Sequence, residues 1–180
     1  TNTLTTDIKD TINQINAKLY RYDISYVIDR LNSREFSKSK RRDIKIAIKE
    51  NINCLVYKNN SIKKYIIEEF YMLLCENLKK FNTYPVHSLD EIIYLIAKHP
   101  ENILLYIASK DNKITAGGLV FRYGQTTHCQ YFVSSKLGRK TCALDLVISK
   151  IIEKEPLKIK YISLGRSPID KENPTLNKGL

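Results

Sequence analysis

Residues 131–148, Tyr131-Phe-Val-Ser-Ser-Lys-Leu-Gly-Arg-Lys-Thr-Cys-Ala-Leu-Asp-Leu-Val-Ile, hold the most chemistry-bearing pattern in this sequence. An apolar strand pattern runs into a short basic turn containing Gly138, and an amphipathic helix pattern follows directly. A turn of that kind aims backbone N–H groups, the positive end of a helix dipole and the cations of Arg139 and Lys140 at one spot. Such a spot suits a phosphate or pyrophosphate. Gly138 would let a backbone approach the anion closely, and Thr141 could cap the helix or offer its hydroxyl. The plainer alternative is a basic capping loop on the surface. Just upstream stands His128, whose ordinary pKa of about 6.5 suits proton removal near neutrality. A hydrogen-bonded core histidine is its alternative reading. A regular strand would put His128 with Gln130 and Phe132 on one face, and Cys129 with Tyr131 on the other. Tyr131 and Tyr123 are alternative acids, although most of the twelve tyrosines must be packing residues. His87 and His99 read as cap or turn residues.

The elements that must hold these residues change character near residue 100. Before it, helical periodicity dominates. Residues 6–32 carry Ile8, Ile12, Ile15 and Leu19, then Ile24, Val27, Ile28 and Leu31, and predict one or two amphipathic helices. Ser39 is a candidate cap for a helix carrying Ile44, Ile46, Ala47 and Ile48. Residues 53–57 predict a strand and 62–81 a helix with Ile66, Phe70, Leu73, Leu74 and Leu78 as its apolar stripe. Ser88 and Glu91 form a capping-box pattern for a helix over 89–98, and Pro100 stops it. After Pro100, residues 103–109, 114–123 and 127–133 predict an antiparallel meander, with Asp111-Asn112 as a tight turn. A helix over 141–154 and a strand over 161–164 complete the order β-β-β-α-β. That order implies an α/β (α+β) fold with a mixed, mostly antiparallel sheet, its last strand parallel to the one before the helix.

Length and composition bound the options. A chain of 180 residues can bury one sizeable core, or one domain with a helical extension. Hydrophobic content of 43% and charged content of 27% argue against disorder. No apolar run has the length needed to span a bilayer, and no signal-peptide pattern opens the sequence. The sequence starts without Met and stops abruptly at Leu180, so it reads as a piece of a longer protein. Four cysteines, Cys54, Cys75, Cys129 and Cys142, form no C-x-x-C pair and read as buried free thiols, which implies a reducing, cytoplasmic setting and no metal. The net charge of +11 suits nucleic acid, an anionic surface or a polyphosphate ligand. A Lys- and Ile-rich genome would produce the same charge.

The element order, with a phosphate-type turn between the third strand of the meander and the following helix, resembles the core of the GNAT acyltransferase superfamily. More specific residues resemble its FemAB-like branch: Lys40-Arg-Arg-Asp-Ile-Lys-Ile-Ala-Ile-Lys49, then Pro85-Val-His-Ser-Leu-Asp-Glu91 and His99-Pro100. Ala116-Gly-Gly-Leu-Val-Phe121, His128-Cys-Gln-Tyr131, Ser134 to Asp145, Ser163-Leu-Gly165 and Leu176-Asn-Lys-Gly-Leu180 continue the match in order. The resemblance covers roughly residues 38–180, behind a helical leader of residues 1–37. The family's Q/R-x-x-G-x-G/A loop is only approximated by Lys136-Leu-Gly-Arg-Lys-Thr-Cys-Ala143, and relatives continue past Leu180 into a "K-x-x-F-G" segment. The domain is therefore expected to be incomplete at its C-terminus.

The resemblance implies an N-acyltransferase that moves an acyl group from acetyl-CoA or another acyl-CoA to an amine, such as an amino sugar or cell-surface precursor. It implies His128 and Tyr131 as catalytic candidates and a donor site over Val133, Ser134, Ser135, Gly138, Arg139, Lys140, Thr141 and Ala143. Gln130, Ser163, Gly165 and Asn177 would then face the acceptor. Relatives that use aminoacyl-tRNA to extend peptidoglycan precursors give a second expectation. The cluster Lys38, Lys40, Arg41 and Arg42 would bind that tRNA, unless it is the solvated face of a helix. A nucleic-acid-binding module and a non-catalytic scaffold are the remaining alternatives. The nucleic-acid module is disfavoured because the tyrosines fall mainly on apolar helix and strand positions.

Overall fold

The computed structural model describes residues 14–15, 24–32, 35–58 and 61–167. The chain divides into a unit of Tyr26–Gly165 and a second of Thr1–Ser25 with Arg166–Leu180. One sheet of six strands carries the candidate chemistry. Its strands are β1 (Ile24–Asp29), β2 (Asn53–Tyr57), β3 (Ile103–Lys110), β4 (Lys113–Tyr123), β5 (Thr126–Ser134) and β6 (Tyr161–Ser167), in the spatial order β1-β6-β5-β4-β3-β2. The helices are α1 (Lys38–Lys49), α2 (Lys64–Lys79), α3 (Leu89–Lys98), α4 (Lys136–Lys140) and α5 (Ala143–Lys154).

β2 through β5 pair antiparallel in sequence, and β5 pairs parallel with β6 after the α5 crossover. The β3–β4 turn needs only Asp111 and Asn112, both at positive φ, which are residue types that tolerate the left-handed region of a two-residue hairpin. β3 is buried from Ile103 to Ala108 without alternation, because helices cover both of its faces. On one face α1 and α5 pack with Tyr106, Ala108, Val120, Cys129 and Ile162. On the other, Phe70 and Leu74 of α2 and Ile92 and Ile96 of α3 pack on Leu105, Ile107, Leu119 and Val133.

The α1/α5 side is pinned by Glu155, which directly follows α5 and has no side-chain exposure. Its carboxylate accepts hydrogen bonds from Arg122 Nε at 2.7 Å and Nη2 at 3.0 Å, from Thr127 Oγ1 at 2.7 Å and from the Tyr106 hydroxyl at 3.0 Å. Three strands are thus tied to one buried charge that is fully hydrogen-bonded. Arg30, just past β1, donates to the carbonyls of Glu155, Pro156 and Ile159.

Several sequence expectations need correction. Ile24–Asp29 is a strand rather than a helix: Tyr26 and Ile28 are half-buried while Ser25 and Val27 are exposed, the period of two expected of a run rich in β-branched and aromatic residues. The rest of the expected leader, residues 1–13 and 16–23, lies outside the described residues. Ser37, not Ser39, caps α1, its Oγ accepting from the Lys40 N–H. The helix expected over 141–154 begins at Ala143, because Cys142 sits at φ +55° and separates it from α4. The basic turn is thereby a helical turn in its own right. The Ser88–Glu91 capping box forms as the pattern predicts.

Candidate functional site

The site is shaped by one extra residue in β5. Across the β4–β5 pair, Val120 faces Cys129 and Leu119 faces Tyr131, so Gln130 has no partner and forms a bulge. A bulge reverses the alternation of side chains beyond it. Cys129 and Phe132 therefore both pack toward α1 and α5, whereas Tyr131 and Val133 pack toward α2 and α3. This corrects the expectation that Cys129 and Tyr131 share a face. His128 lies opposite Phe121 in the register and shares its face, so His128 and Tyr131 are on the same α2/α3 side.

On that side the structure adds a residue that the sequence reading passed over. His87, in the segment leading to α3, gives its backbone N–H to the Tyr131 hydroxyl oxygen at 3.2 Å, and its Nδ1 stands 2.8 Å from the same oxygen. Its carbonyl accepts from the Tyr71 hydroxyl at 3.2 Å. The imidazole meets the rings of Tyr131 and Phe121 edge-on, with centroids 5.9 and 6.2 Å away. Burial first, then the neighbouring Cys75, raises the Tyr71 hydroxyl above its ordinary value. The only sequence signal for His87 is its place in the Pro85-Val-His-Ser88 segment of the family resemblance.

His128 is half-buried, with Nδ1 3.2 Å from the Ser163 hydroxyl on β6. The β5–β6 ladder holds three residue pairs and ends at His128 and Ser163, after which β5 runs on to Ser134 outside any registered pair with β6. Gly165 sits at φ +87°, and a Cβ there would be 3.3 Å from the Cys129 carbonyl oxygen. Asn177 lies outside the described residues.

At the end of β5 the Ser135 Oγ caps α4 by accepting from the Gly138 N–H at 3.0 Å. The Ser134 N–H is taken by Asn77 Oδ1 of α2 and the Ser135 N–H by the Thr115 carbonyl. In the first turn of α4 this leaves the N–H groups of Lys136 and Leu137, which have no intrahelical acceptor. Gly138 has a packing reason of its own: a Cβ would stand 2.0 Å from the Thr115 carbonyl oxygen. The Arg139 guanidinium donates to the Ser134 carbonyl at 2.6 Å. The Thr141 hydroxyl donates to the Leu137 carbonyl, and Cys142 caps α5 without a side-chain bond, so the helix-capping role expected of Thr141 is not the one it plays. Val133 and Ala143 are fully buried core residues, while Lys136 and Lys140 are exposed.

The N-terminal end of α1 adjoins this turn. Lys40 Nζ bonds Asp145 Oδ1 of α5 at 2.7 Å, and that bond raises the Lys40 ammonium above its ordinary value. Arg41 pairs with Glu35, and Arg42 with Asp43 at 3.5 Å. A cavity of about 490 Å³ lies elsewhere, between α1, β2 and α5, lined by Ile44, Ile52, Cys54, Leu146, Lys150 and Glu153. It contains none of the candidate residues. Cys54, Cys75, Cys129 and Cys142 are free, and burial pushes the Cys129 thiol up to about 12 and the Cys54 thiol up to about 11. Among the described residues no cluster of His, Cys, Asp and Glu could hold a metal ion, and no helix is long and apolar enough to cross a membrane.

No family model matches the sequence, and no curated protein matches it. Solved structures do. FemX is 10% identical, with a TM-score of 0.66 over 93% of this chain and 62% of its own. L-PGS from Bacillus licheniformis is 12% identical, with a TM-score of 0.60 over 82% of this chain and 47% of its own. A protein of unknown function from Bacteroides thetaiotaomicron is 14% identical, with a TM-score of 0.61 over 90% and 58%. The chain spans roughly half to three-fifths of the length of these structures. The fold is GNAT-like, in the form seen in FemX and L-PGS.

Proposed function

We propose that this chain is the acyl-transferring half of a GNAT-like enzyme: an activated acyl donor lies along β5 beyond the Gln130 bulge, and an amine acceptor approaches Tyr131 and His128. The observation that carries the reading is the early end of the parallel β5–β6 ladder at His128 and Ser163, next to a strand that leads straight into the basic α4 turn. Among the described residues no registered pair joins β5 to β6 past His128, and a strand that leaves its ladder while running on can offer backbone groups to an extended ligand. The Lys136 and Leu137 N–H groups, with the cations of Lys136 and Lys140, then suit its phosphate end.

Acyl transfer to an amine requires a neutral nucleophile and stabilisation of the oxygen on which charge develops. His128 and Tyr131, brought to one face by the bulge, are the groups able to handle the proton. Gln130, at the bulge itself, lies between the two in sequence. Acetyl-CoA or another acyl-CoA is the donor this reading favours, with an amino sugar or related cell-envelope precursor as acceptor. A second reading uses aminoacyl-tRNA as donor, as in Fem-type relatives. Its support is the basic N-terminal end of α1, which is tied to α5 close to the α4–α5 junction by the Lys40–Asp145 pair.

Thermal-shift and calorimetric titration of the full protein with CoA, acetyl-CoA and tRNA separates the two. Stabilisation by CoA that is lost in the Lys136→Glu/Lys140→Glu double variant is the expected result. Stabilisation by tRNA alone, weakening steeply with salt and with loss of Arg41 and Arg42, selects the second reading. No response to any CoA species removes the donor site from the α4 turn.

A further inference from the structure

Two groups of His87 meet at the Tyr131 oxygen, and their geometry restricts where its proton lies. The His87 backbone N–H already occupies one lone pair of the oxygen. The His87 Nδ1, at 2.8 Å, either donates a second N–H to it or accepts the phenol hydrogen. Acceptance uses each polar group once and leaves the Nε2–H for the open side of the half-buried ring. The Tyr71 hydroxyl holds the His87 carbonyl, so the peptide that carries the imidazole is fixed at both its N–H and its C=O. The His128 Nδ1 bonds Ser163 of β6 rather than the Tyr131 oxygen.

We infer that Tyr131 and His87 form a proton relay, in which Tyr131 is the catalytic residue and His87 the positioning residue that receives its proton. This deepens the acyl-transfer reading and rests on it. In the step proposed, the acceptor nitrogen forms a bond to the acyl carbon of the thioester, and the C–S bond breaks to release the thiolate. The proton on the attacking nitrogen passes to the Tyr131 oxygen as the phenol hydrogen passes to His87 Nδ1. The thiolate then takes the proton from the Tyr131 oxygen as His87 Nδ1 returns the phenol hydrogen, so the amine proton ends on the thiol and both residues regain their starting state. The charge on the imidazolium is met by Glu91, whose carboxylate is held in the α3 capping box. The other titratable group facing the pair is Tyr71 of α2, which itself lies beside Cys75, while His128 of β5 shares the face. Phe121 of β4 closes the ring contact without a charge. Burial, followed by the neighbouring Cys75, raises the Tyr71 phenol and keeps it protonated, as a donor to the His87 carbonyl must be.

Two measurements on the full protein test this separately from the reading beneath it. Long-range proton–nitrogen spectra of the uniformly labelled protein at pH 8 report the His87 tautomer. An Nε2–H tautomer whose Nδ1 resonance moves in Tyr131→Phe is expected, and an Nδ1–H tautomer overturns the relay. Thiol release from acetyl-CoA, with glucosamine as the probe amine, is then followed against pH. An acid-side fall in the wild-type rate that depends on His87 is expected. His87→Gln should lower the rate at least tenfold and flatten that limb, with His87→Asn giving the same profile. A limb that persists in His87→Gln and vanishes in His128→Gln overturns the relay while leaving acyl transfer intact. No thiol release by wild type, alongside the expected tautomer, removes the reaction and the relay with it, and leaves the hydrogen-bonded pair as architecture.

Discussion

The two faces of the sheet solve the burial of polar groups in opposite ways. On the α1/α5 face, Glu155 is fully buried, and each neighbour it has – Arg122, Thr127 and Tyr106 – points at it. On the α2/α3 face, Tyr71, His87, Tyr131 and His128 are all half-buried. Their bonds span 16 to 44 residues, and none of the four side chains is fully buried. A network closed on itself has no capacity left to bind or transfer anything and serves to fix strands. A set of half-satisfied titratable groups is where ligand and proton can enter. The difference assigns the α1/α5 face to stability and the α2/α3 face to chemistry.

The largest expected effect falls on the closed side. Glu155→Ala leaves the Arg122 guanidinium buried with no carboxylate and should cost about 3–5 kcal/mol in urea unfolding. The exposed ion pair of Lys150 with Glu153, one turn away on α5, should be worth at most about 1 kcal/mol. Near-equal losses for Glu155→Ala and Glu153→Ala would erase the distinction between a closed network and a surface pair.

The α4 turn, where the sheet ends, separates fold from function within a few residues. Gly138→Ala drives a methyl into the Thr115 carbonyl and should destabilise by about 1–3 kcal/mol or more. The exposed Lys140→Ala should stay within about 0.5 kcal/mol of wild type while weakening CoA binding. Gly138→Ala that folds with native stability and loses CoA would return the glycine to a purely ligand-facing role.

The regular periods of the chain were readable without coordinates, and the interruptions were not. The meander, the α2 stripe and the Ser88–Glu91 box follow from local patterns, and each formed. The bulge at Gln130 has no local mark, since His128-Cys-Gln-Tyr131 alternates acceptably on paper and only the register against Leu119 and Val120 shows the extra residue. Strand β1 reads as helix in the sequence because Ile24, Val27, Ile28 and Leu31 sit at helical spacings over a run too short to reveal the period of two. Glu155 carries no local mark in the sequence, because its partners come from three strands between 28 and 49 residues away. His87 was visible as a residue and invisible as a partner, because the 44-residue separation from Tyr131 is closed only by the fold.

The smallest expected effect ties the two properties of the α2/α3 face together. Glu91 accepts from the Ser88 N–H at 2.7 Å, and this bond, followed by that to the Ser88 hydroxyl, holds its carboxyl below the ordinary value of 4.5. A carboxyl depressed on folding contributes stability that is fully present above the unfolded value and is lost as the pH falls through the lower, folded one. The α3 cap should therefore loosen below about pH 4.5, and Ser88 adjoins His87, whose N–H and carbonyl hold Tyr131 and Tyr71. Amide exchange at His87 and Ser88 should rise in that window in wild type. In Glu91→Gln, which cannot lose a proton there, exchange should be slightly faster at neutral pH and flat on acidification. Acid-induced exchange that begins in α5 instead would place the weaker cooperative unit on the α1/α5 face and reverse the assignment of the two sides.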